Sequence, residues 1–220
     1  MNEITVRTQA EWDAVPKDFD GYIYIKSESG RIIIAERKGC SVVARGNSSV
    51  EARENSSVEA TGNTQVVQYS DYTAIKVSGN ARIVRLPKTI EEFCDFHGVE
   101  TRDGKAILYK AVRPDGKAFY DGNFLYTIGE IATDKCDTSV ERNCSTGLHI
   151  AHKHWALEFG RDKGEFKLLE CAVPLDKIVL PKHTDGKVRT SELTVLREVP
   201  LEECGVYGKI IAKERARGDK

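Results

Sequence analysis

Four residues with reactive side chains lie within a short stretch of the second half of the chain: Cys144, His149, His152 and His154. Cysteine and histidine are common zinc ligands, and Cys136 adds a thiol upstream. Zinc sites usually contain cysteines spaced two to four residues apart, and the chain has no such pair. We therefore predict no metal. The residues that a metal would use are Cys136, Cys144, His149 and His152.

The same stretch raises the question of a nucleophilic cysteine. A thiolate nucleophile needs a base within hydrogen-bond reach and a third group that orients the base. Cys144 and His149 flank Gly147, so a tight turn could bring them together, but the spacing does not determine this. The simpler interpretation is a buried cysteine beside a histidine that bonds to a backbone carbonyl.

A third interpretation is an anion site built from separate segments. Lysine and arginine side chains that converge with a neutral histidine can bind a phosphate or a carboxylate. The candidate ligand-binding residues are Lys110, Cys144, His149, Lys187 and Arg189. The alternative is that the cations pair with Asp134, Asp137 or Glu170 and only stabilise the fold.

The elements that carry these residues begin after Pro87. Thr89 and Glu92 have the spacing of a capping box, which predicts a short helix that ends at Gly98, with Phe93 and Phe96 on its apolar face. A second helix is predicted from His152 to Phe159, with Gly160 as its C-terminal stop. The predicted strands are 106–112, 124–131, 166–173, 177–180 and 192–199.

Few helices and many mostly antiparallel strands indicate an α+β domain over residues 88–208. The remaining residues, 209–220, are charged, and we predict a tail that frays into solvent.

Eight-residue repeats run upstream of this domain, from Lys38 to Leu86. In the unit 46–53, Ser48, Val50 and Ala52 alternate with polar or charged residues, and this period of two places them on the inward face of a strand. Gly-Asn at the junctions supplies the positive φ angles that tight corners need. One unit cannot bury its own apolar face, but stacked units can. The repeats therefore predict a parallel β-solenoid over residues 30–87.

Three details of the solenoid follow from the same alignment. Ala74 is expected in the valine position of its unit, and one inserted residue then puts Ile83 in that position of the last unit. Residues 1–29, with Trp12 and Val15, are expected to form an N-terminal cap that covers the open end. The spacing leaves open whether two or three units complete one coil.

Composition limits the function classes. The chain has 33 basic and 34 acidic residues among 220, a formal net charge of −1, which argues against a dedicated nucleic-acid or anionic-membrane binder. No apolar run approaches the ~18 residues of a membrane span, and the N-terminus lacks the pattern of a signal peptide. The six scattered cysteines are typical of reduced thiols. We predict a soluble cytoplasmic protein.

Three segments resemble a known family: 108–113 (LYKAVR), 143–150 (NCSTGLHI) and 186–190 (GKVRT). In this order they resemble the C-terminal domain of the phage rapid-lysis II protein B and its phage and prophage relatives. Several of those relatives carry a solenoid of similar repeats upstream, so the resemblance spans residues 22–199. It implies a phage-encoded accessory protein that acts in the host cytoplasm, with an anti-defence role.

Two functions follow as hypotheses. In the first, the protein is not an enzyme, needs no cofactor, and binds a host or phage protein, with the solenoid as docking or homo-oligomerisation surface. In the second, the C-terminal domain binds or modifies a nucleotide-like ligand, because the order of its elements resembles that of ADP-ribosyltransferase folds.

Overall fold

The computed structural model describes residues 2–27, 31–34, 40–53, 55–69, 72–182 and 184–218. The protein is mainly β and divides into two compact units, Met1–Leu86 and Pro87–Lys220. The first is a parallel β-solenoid and the second an α+β unit, as the sequence predicts. The expected solenoid start at Gly30 and the repeat positions Lys38 and Gly39 lie outside the described residues.

The first unit is built from short strands that follow one another along the chain. Its described elements are β1 (Asn2–Val6), α1 (Gln9–Asp13), β2 (Gly21–Ile25), β3 (Arg31–Ile34), β4 (Cys40–Ala44), β5 (Ser49–Ala52), β6 (Ser57–Ala60), β7 (Gln65–Gln68), β8 (Ala74–Val77) and β9 (Arg82–Arg85). They form two parallel sheets, with strand orders β1-β2-β4-β6-β8 and β3-β5-β7-β9.

Each coil of the solenoid contains two eight-residue units, one in each sheet. Val42 lies opposite Val58 in the first sheet, and Val50 lies opposite Val66 in the second, a separation of 16 residues. The question that the spacing left open is therefore answered by the pairing register.

The inward face of the repeat is as predicted. Ser48, Val50 and Ala52 are each at most 1% exposed. The Ser48 hydroxyl donates to the Arg45 carbonyl at 2.6 Å, so the polar inward position bonds to the backbone of the corner. Glu51 was expected to face solvent but is buried. Ile33 and Val67 lie beside it in the neighbouring strands, and Arg53 bonds to its carboxylate.

The prediction for Ala74 is wrong. Ile75, not Ala74, lies opposite Val58, so the inserted residue belongs to the corner before β8 rather than after it. Ile83 lies opposite Val66, as expected. The larger side chain takes the inward position because it fills the interior, whereas Ala74 is exposed.

The N-terminal segment contributes strands to the solenoid, since β1 and β2 extend the first sheet in parallel register with β4. The short helix α1 buries Trp12, and Val15 follows it. The Gln9 amide bonds to the backbone of Ile33: the Ile33 N–H donates to Oε1 at 2.8 Å, and Nε2 donates to the Ile33 carbonyl at 3.2 Å. One side chain thus satisfies backbone groups at the edge of β3.

The second unit contains a helix-covered antiparallel sheet. Its elements are α2 (Ile90–His97), β10 (Thr101–Arg102), β11 (Lys105–Val112), β12 (Ile131–Thr133), β13 (Leu148–Ala151), α3 (Lys153–Lys163), β14 (Lys167–Pro174), β15 (Ile178–Val179), β16 (Lys187–Thr190), β17 (Glu192–Val199) and α4 (Gly205–Arg217). The strand order is β12-β17-β14-β11-β13-β16-β15, and β10 pairs with β11.

Apolar side chains are buried on both faces of this sheet. Leu108 and Val112 of β11 belong to one cluster, which includes Phe93 of α2. Tyr109 and Ala111, at the alternate positions of β11, belong to the other cluster with α3 and α4. The alternation of β11 thus separates the two cores.

Several local predictions for this unit are confirmed and others are wrong. The capping box of Thr89 and Glu92 and the left-handed Gly98 are present. Phe96, however, is 49% exposed. The segment 124–131 is not a strand, since the described strand β12 begins only at Ile131.

Two glycine-containing regions also differ from expectation. Gly160 does not end α3, which continues to Lys163; the Phe166 ring packs so closely that a Cβ on Gly160 would lie 2.6 Å from it. The predicted tail is helical as far as Arg217, because Ile211 is buried against the sheet and Arg215 donates to the Phe166 carbonyl at 3.2 Å.

The described residues include no helix of the length and apolar character that crossing a membrane requires.

Candidate functional site

A cavity opens in the second unit where two neighbouring strands separate. β11 and β13 pair at one position only, Tyr109 with Ala151, whereas β13 pairs with β16 along its whole length. The cavity has a volume of about 580 Å³, within the ~300–1,000 Å³ range of small-molecule sites. The separation of the strands therefore creates enough space for a small ligand.

Aromatic side chains form about a third of the cavity lining, which also includes two aspartates, Asp121 and Asp134. The aromatic lining residues are Tyr109, Phe119, Tyr120, Phe124, Tyr126, Trp155 and Phe159. Trp155 and Phe159, one turn apart on α3, are stacked with ring centroids 5.4 Å apart, and Phe119 meets Phe159 edge to face at 5.8 Å. Flat π surfaces of this kind are suited to a planar ring in the ligand.

Lys110 lies on β11 at the point where the strands separate. Its Nζ donates to the His149 carbonyl at 2.7 Å, across the gap, and lies 4.8 Å from the centre of the Tyr126 ring. Among the described residues it forms no ion pair with a carboxylate. Although the side chain as a whole is only partly buried, protein encloses its ammonium, and this burial lowers the pKa of Lys110 to about 8.

His149, on β13, also lines the cavity. Burial, reinforced by the positive charges of Lys110, Lys187 and Arg189, lowers the pKa of His149 to about 4, so the ring is neutral at pH 7. Its Nε2 atom is buried and has no hydrogen-bond partner in the described part of the chain. A neutral imidazole here adds polarity to the cavity without adding charge.

Lys187 and Cys144 lie together at the cavity. The Lys187 Nζ donates to the Cys144 Sγ at 3.0 Å and lies 5.5 Å from the centre of the Trp155 ring. Cys144 is therefore exposed rather than buried, and its partner is Lys187 rather than a histidine. Within the described residues, no carboxylate forms an ion pair with Lys187.

Arg189 has a different role from the one expected. It is fully buried and is not among the residues that line the cavity. Its guanidinium donates to the backbone carbonyls of Asp137, Ser139 and Arg142. Arg189 therefore holds the loop 134–147, which forms one wall of the cavity, and it bonds to backbone rather than to an acidic side chain.

The candidate metal ligands are held by other contacts. The rings of His152 and His97 stack with centroids 4.2 Å apart, and Cys136 packs against Gly147, where a Cβ would lie 3.1 Å from its Sγ. In the described chain, no group of three or more histidine, cysteine, aspartate or glutamate side chains is placed to hold a metal ion.

The aromatic walls are the part of the site that the sequence reasoning missed. Residues 119–126 (FYDGNFLY) contain four aromatic residues in one turn-rich segment, and all four line the cavity: Phe119, Tyr120, Phe124 and Tyr126. The second half of this segment belongs to 124–131, for which the sequence predicts a strand. A dense aromatic cluster around a Gly-Asn turn was the available signal.

Comparison with protein-family models, with curated proteins and with solved structures gave no match to this chain. The resemblance to phage proteins therefore stays a prediction.

Proposed function

We propose that the second unit binds a small, planar, anionic ligand of the nucleotide class in the cavity between β11 and β13. The observation that carries this proposal is the combination of an aromatic-walled cavity with two lysines, Lys110 and Lys187, that lack carboxylate partners among the described residues. The cavity is also lined by Asp121 and Asp134, but neither forms an ion pair with Lys110 or Lys187, and an anionic ligand would offset the cost of enclosing these unpaired cations.

The aromatic and the cationic lining residues would recognise different parts of the ligand. The stacked Trp155 and Phe159 present flat surfaces to a base-like ring, since aromatic side chains stack on the π faces of nucleobases without strong sequence preference. The lysine ammonium groups supply donors for a phosphate or carboxylate. A neutral nucleoside should therefore bind more weakly than the corresponding nucleotide.

The test is a thermal-shift and calorimetric screen of the full chain against nucleoside monophosphates, NAD and the matching nucleosides. A ligand at 100 times its Kd should add about 2.7 kcal/mol of stability. We expect Lys187→Met to weaken nucleotide binding about tenfold or more and to leave nucleoside binding nearly unchanged.

Lys167→Met is the matched control, because Lys167 is a lysine of the same sheet that pairs with Glu198 at 3.3 Å and does not line the cavity. Absence of a shift with every planar anion would contradict the proposal. Equal affinity in the Lys187→Met variant would place the binding elsewhere.

A second candidate function is protein docking by the solenoid, as an accessory phage protein acting on a host or phage protein in the host cytoplasm. The supporting observation is a regular exposed ladder: Asn63 Nδ2 donates to Asn47 Oδ1 at 3.1 Å, and Asn80 Nδ2 donates to Asn63 Oδ1 at 3.2 Å. Such ladders hold a surface in fixed rows, which suits a repeat module that recognises a partner or a second copy.

The homo-oligomer form of this second candidate is tested by the mass of the particle in solution. We expect light scattering to give a multiple of 24.5 kDa, and Asn63→Arg to reduce it because arginines would disrupt the ladder and repel across a symmetric contact. Asn123→Arg, at an exposed asparagine of the second unit, is the charge-matched control. A monomer at all concentrations would contradict self-association through the solenoid.

A further inference from the structure

Lys110 differs from the other lysine of the cavity in its surroundings. Its ammonium is enclosed where β11 and β13 separate, and its hydrogen bond is to a neutral acceptor, the His149 carbonyl. Lys187 is instead shared between a thiol and the Trp155 ring. A single hydrogen bond to the backbone thus holds the Lys110 ammonium in the cavity. That bond uses one of its three N–H groups and leaves the other two.

We propose that Lys110 is a reactive amine that condenses with the carbonyl carbon of a planar ligand whose anionic group is bound by Lys187. This inference rests on the ligand cavity of the proposed function and gives that cavity a second ligand class, a planar aldehyde or ketone that carries a phosphate or carboxylate.

The condensation balances without an oxidant or a reductant. The ammonium of Lys110 first loses one proton to solvent, and the nitrogen lone pair then forms a bond to the carbonyl carbon. The two protons that remain on the nitrogen are then transferred to the former carbonyl oxygen, the carbon–oxygen bond breaks, and the oxygen leaves as water. The product is an imine between Nζ and the ligand, and water reverses the reaction.

The enclosure of the amine supports this chemistry, because a desolvated lysine is uncharged at lower pH than an exposed one. With its pKa lowered to about 8, Lys110 has about two hundred times the neutral fraction of an ordinary surface lysine at pH 7.5. The Tyr126 ring, which lies 4.8 Å from Nζ, favours the charged form but does not reverse the effect of burial.

The test uses pyridoxal 5′-phosphate as a planar, anionic aldehyde probe on the full chain, with borohydride to trap the imine and peptide mass mapping to find it. We expect one dominant adduct, on Lys110, at pH 7.5. Its formation rate should level off above about pH 8, whereas labelling of exposed lysines should keep rising towards pH 10. Pyridoxal without the phosphate should label Lys110 at least about tenfold more slowly, since it cannot use Lys187.

Lys110→Arg keeps the charge and removes the amine, and it should lose the dominant adduct; Lys105→Arg, an exposed lysine on the same strand, should keep it. Adducts spread over exposed lysines of the unaltered protein, with Lys110 unmodified, would overturn the inference whether or not the variant folds. Nucleotide binding to the cavity without labelling of Lys110 would reject this inference alone. If the protein neither binds nucleotides nor is labelled at Lys110, the proposed function is rejected as well.

Discussion

Replacing Arg189 with methionine is expected to lower the free energy of unfolding of the second unit by about 3–5 kcal/mol. The guanidinium is fully buried and donates to three backbone carbonyls of one loop, those of Asp137, Ser139 and Arg142. Hydrogen bonds that involve a charged group contribute about 1.5–3 kcal/mol each, and a buried carbonyl left without a donor adds a desolvation cost. Methionine fills much of the volume but supplies no donor.

The measurement is urea denaturation followed by the fluorescence of Trp155, in a Trp12→Phe background so that the first unit is silent. Arg197→Met is the matched control. Arg197 is half-exposed and forms ion pairs with Glu170 and Glu203 at the surface, where such pairs contribute at most about 1 kcal/mol. Equal losses in the two variants would contradict the role assigned to Arg189. Faster proteolysis within the loop 134–147 should accompany the loss.

Acidification from pH 7 to pH 4 is expected to destabilise the second unit through two histidines. Burial is the main cause that lowers the pKa values of His149 and His152 to about 4, whereas the ordinary value is about 6.5. Between these pH values the unfolded chain binds more protons than the folded one, so protonation favours unfolding. The stabilisation is complete above pH 6.5 and is lost as the pH falls towards 4.

The expected loss is on the order of 1–2 kcal/mol for each histidine, less than the full shift implies, because both side chains keep some contact with solvent. For His152, the nearby rings of His97 and His154 add repulsion on protonation, and Asp185 opposes it. The free energy of unfolding at a series of pH values, from denaturant titrations, measures the effect.

Glutamine is the test substitution for both histidines because it is polar but does not titrate. His149→Gln and His152→Gln should each flatten the fall in stability below pH 6.5. Asn123→Gln is the control, since this exposed residue carries no titratable group and its replacement should leave the slope unchanged. An unchanged slope in both test variants would show that other groups cause the acid sensitivity.

The sequence by itself determined the solenoid, because its evidence is local and repeated. A strand needs only alternation over a few residues, and a corner needs only a glycine with positive φ, such as Gly46 or Gly62. The capping box of Thr89 and Glu92 is local in the same sense, since both partners lie within one turn. Each of these features depends on residues that are neighbours along the chain.

Only the tertiary structure decided how many eight-residue repeats form one coil of the solenoid. The eight-residue period is the same for two or three units per coil, and the answer lies in the pairing of Val50 with Val66. The position of the insertion was decided by burial, which selects Ile75 over Ala74 for the interior.

The candidate site depended still more on distant residues. Sequence identified Arg189 as a cation but not the carbonyls it bonds, which lie 47 to 52 residues away along the chain. Lys110 and His149 were candidates because of their types, yet the cavity between them exists because β11 and β13 meet at one position and then separate. The sequence specifies the type of each side chain. The enclosure that lowers the pKa of Lys110, however, arises only when separate strands and α3 pack together, and so do the aromatic walls around it.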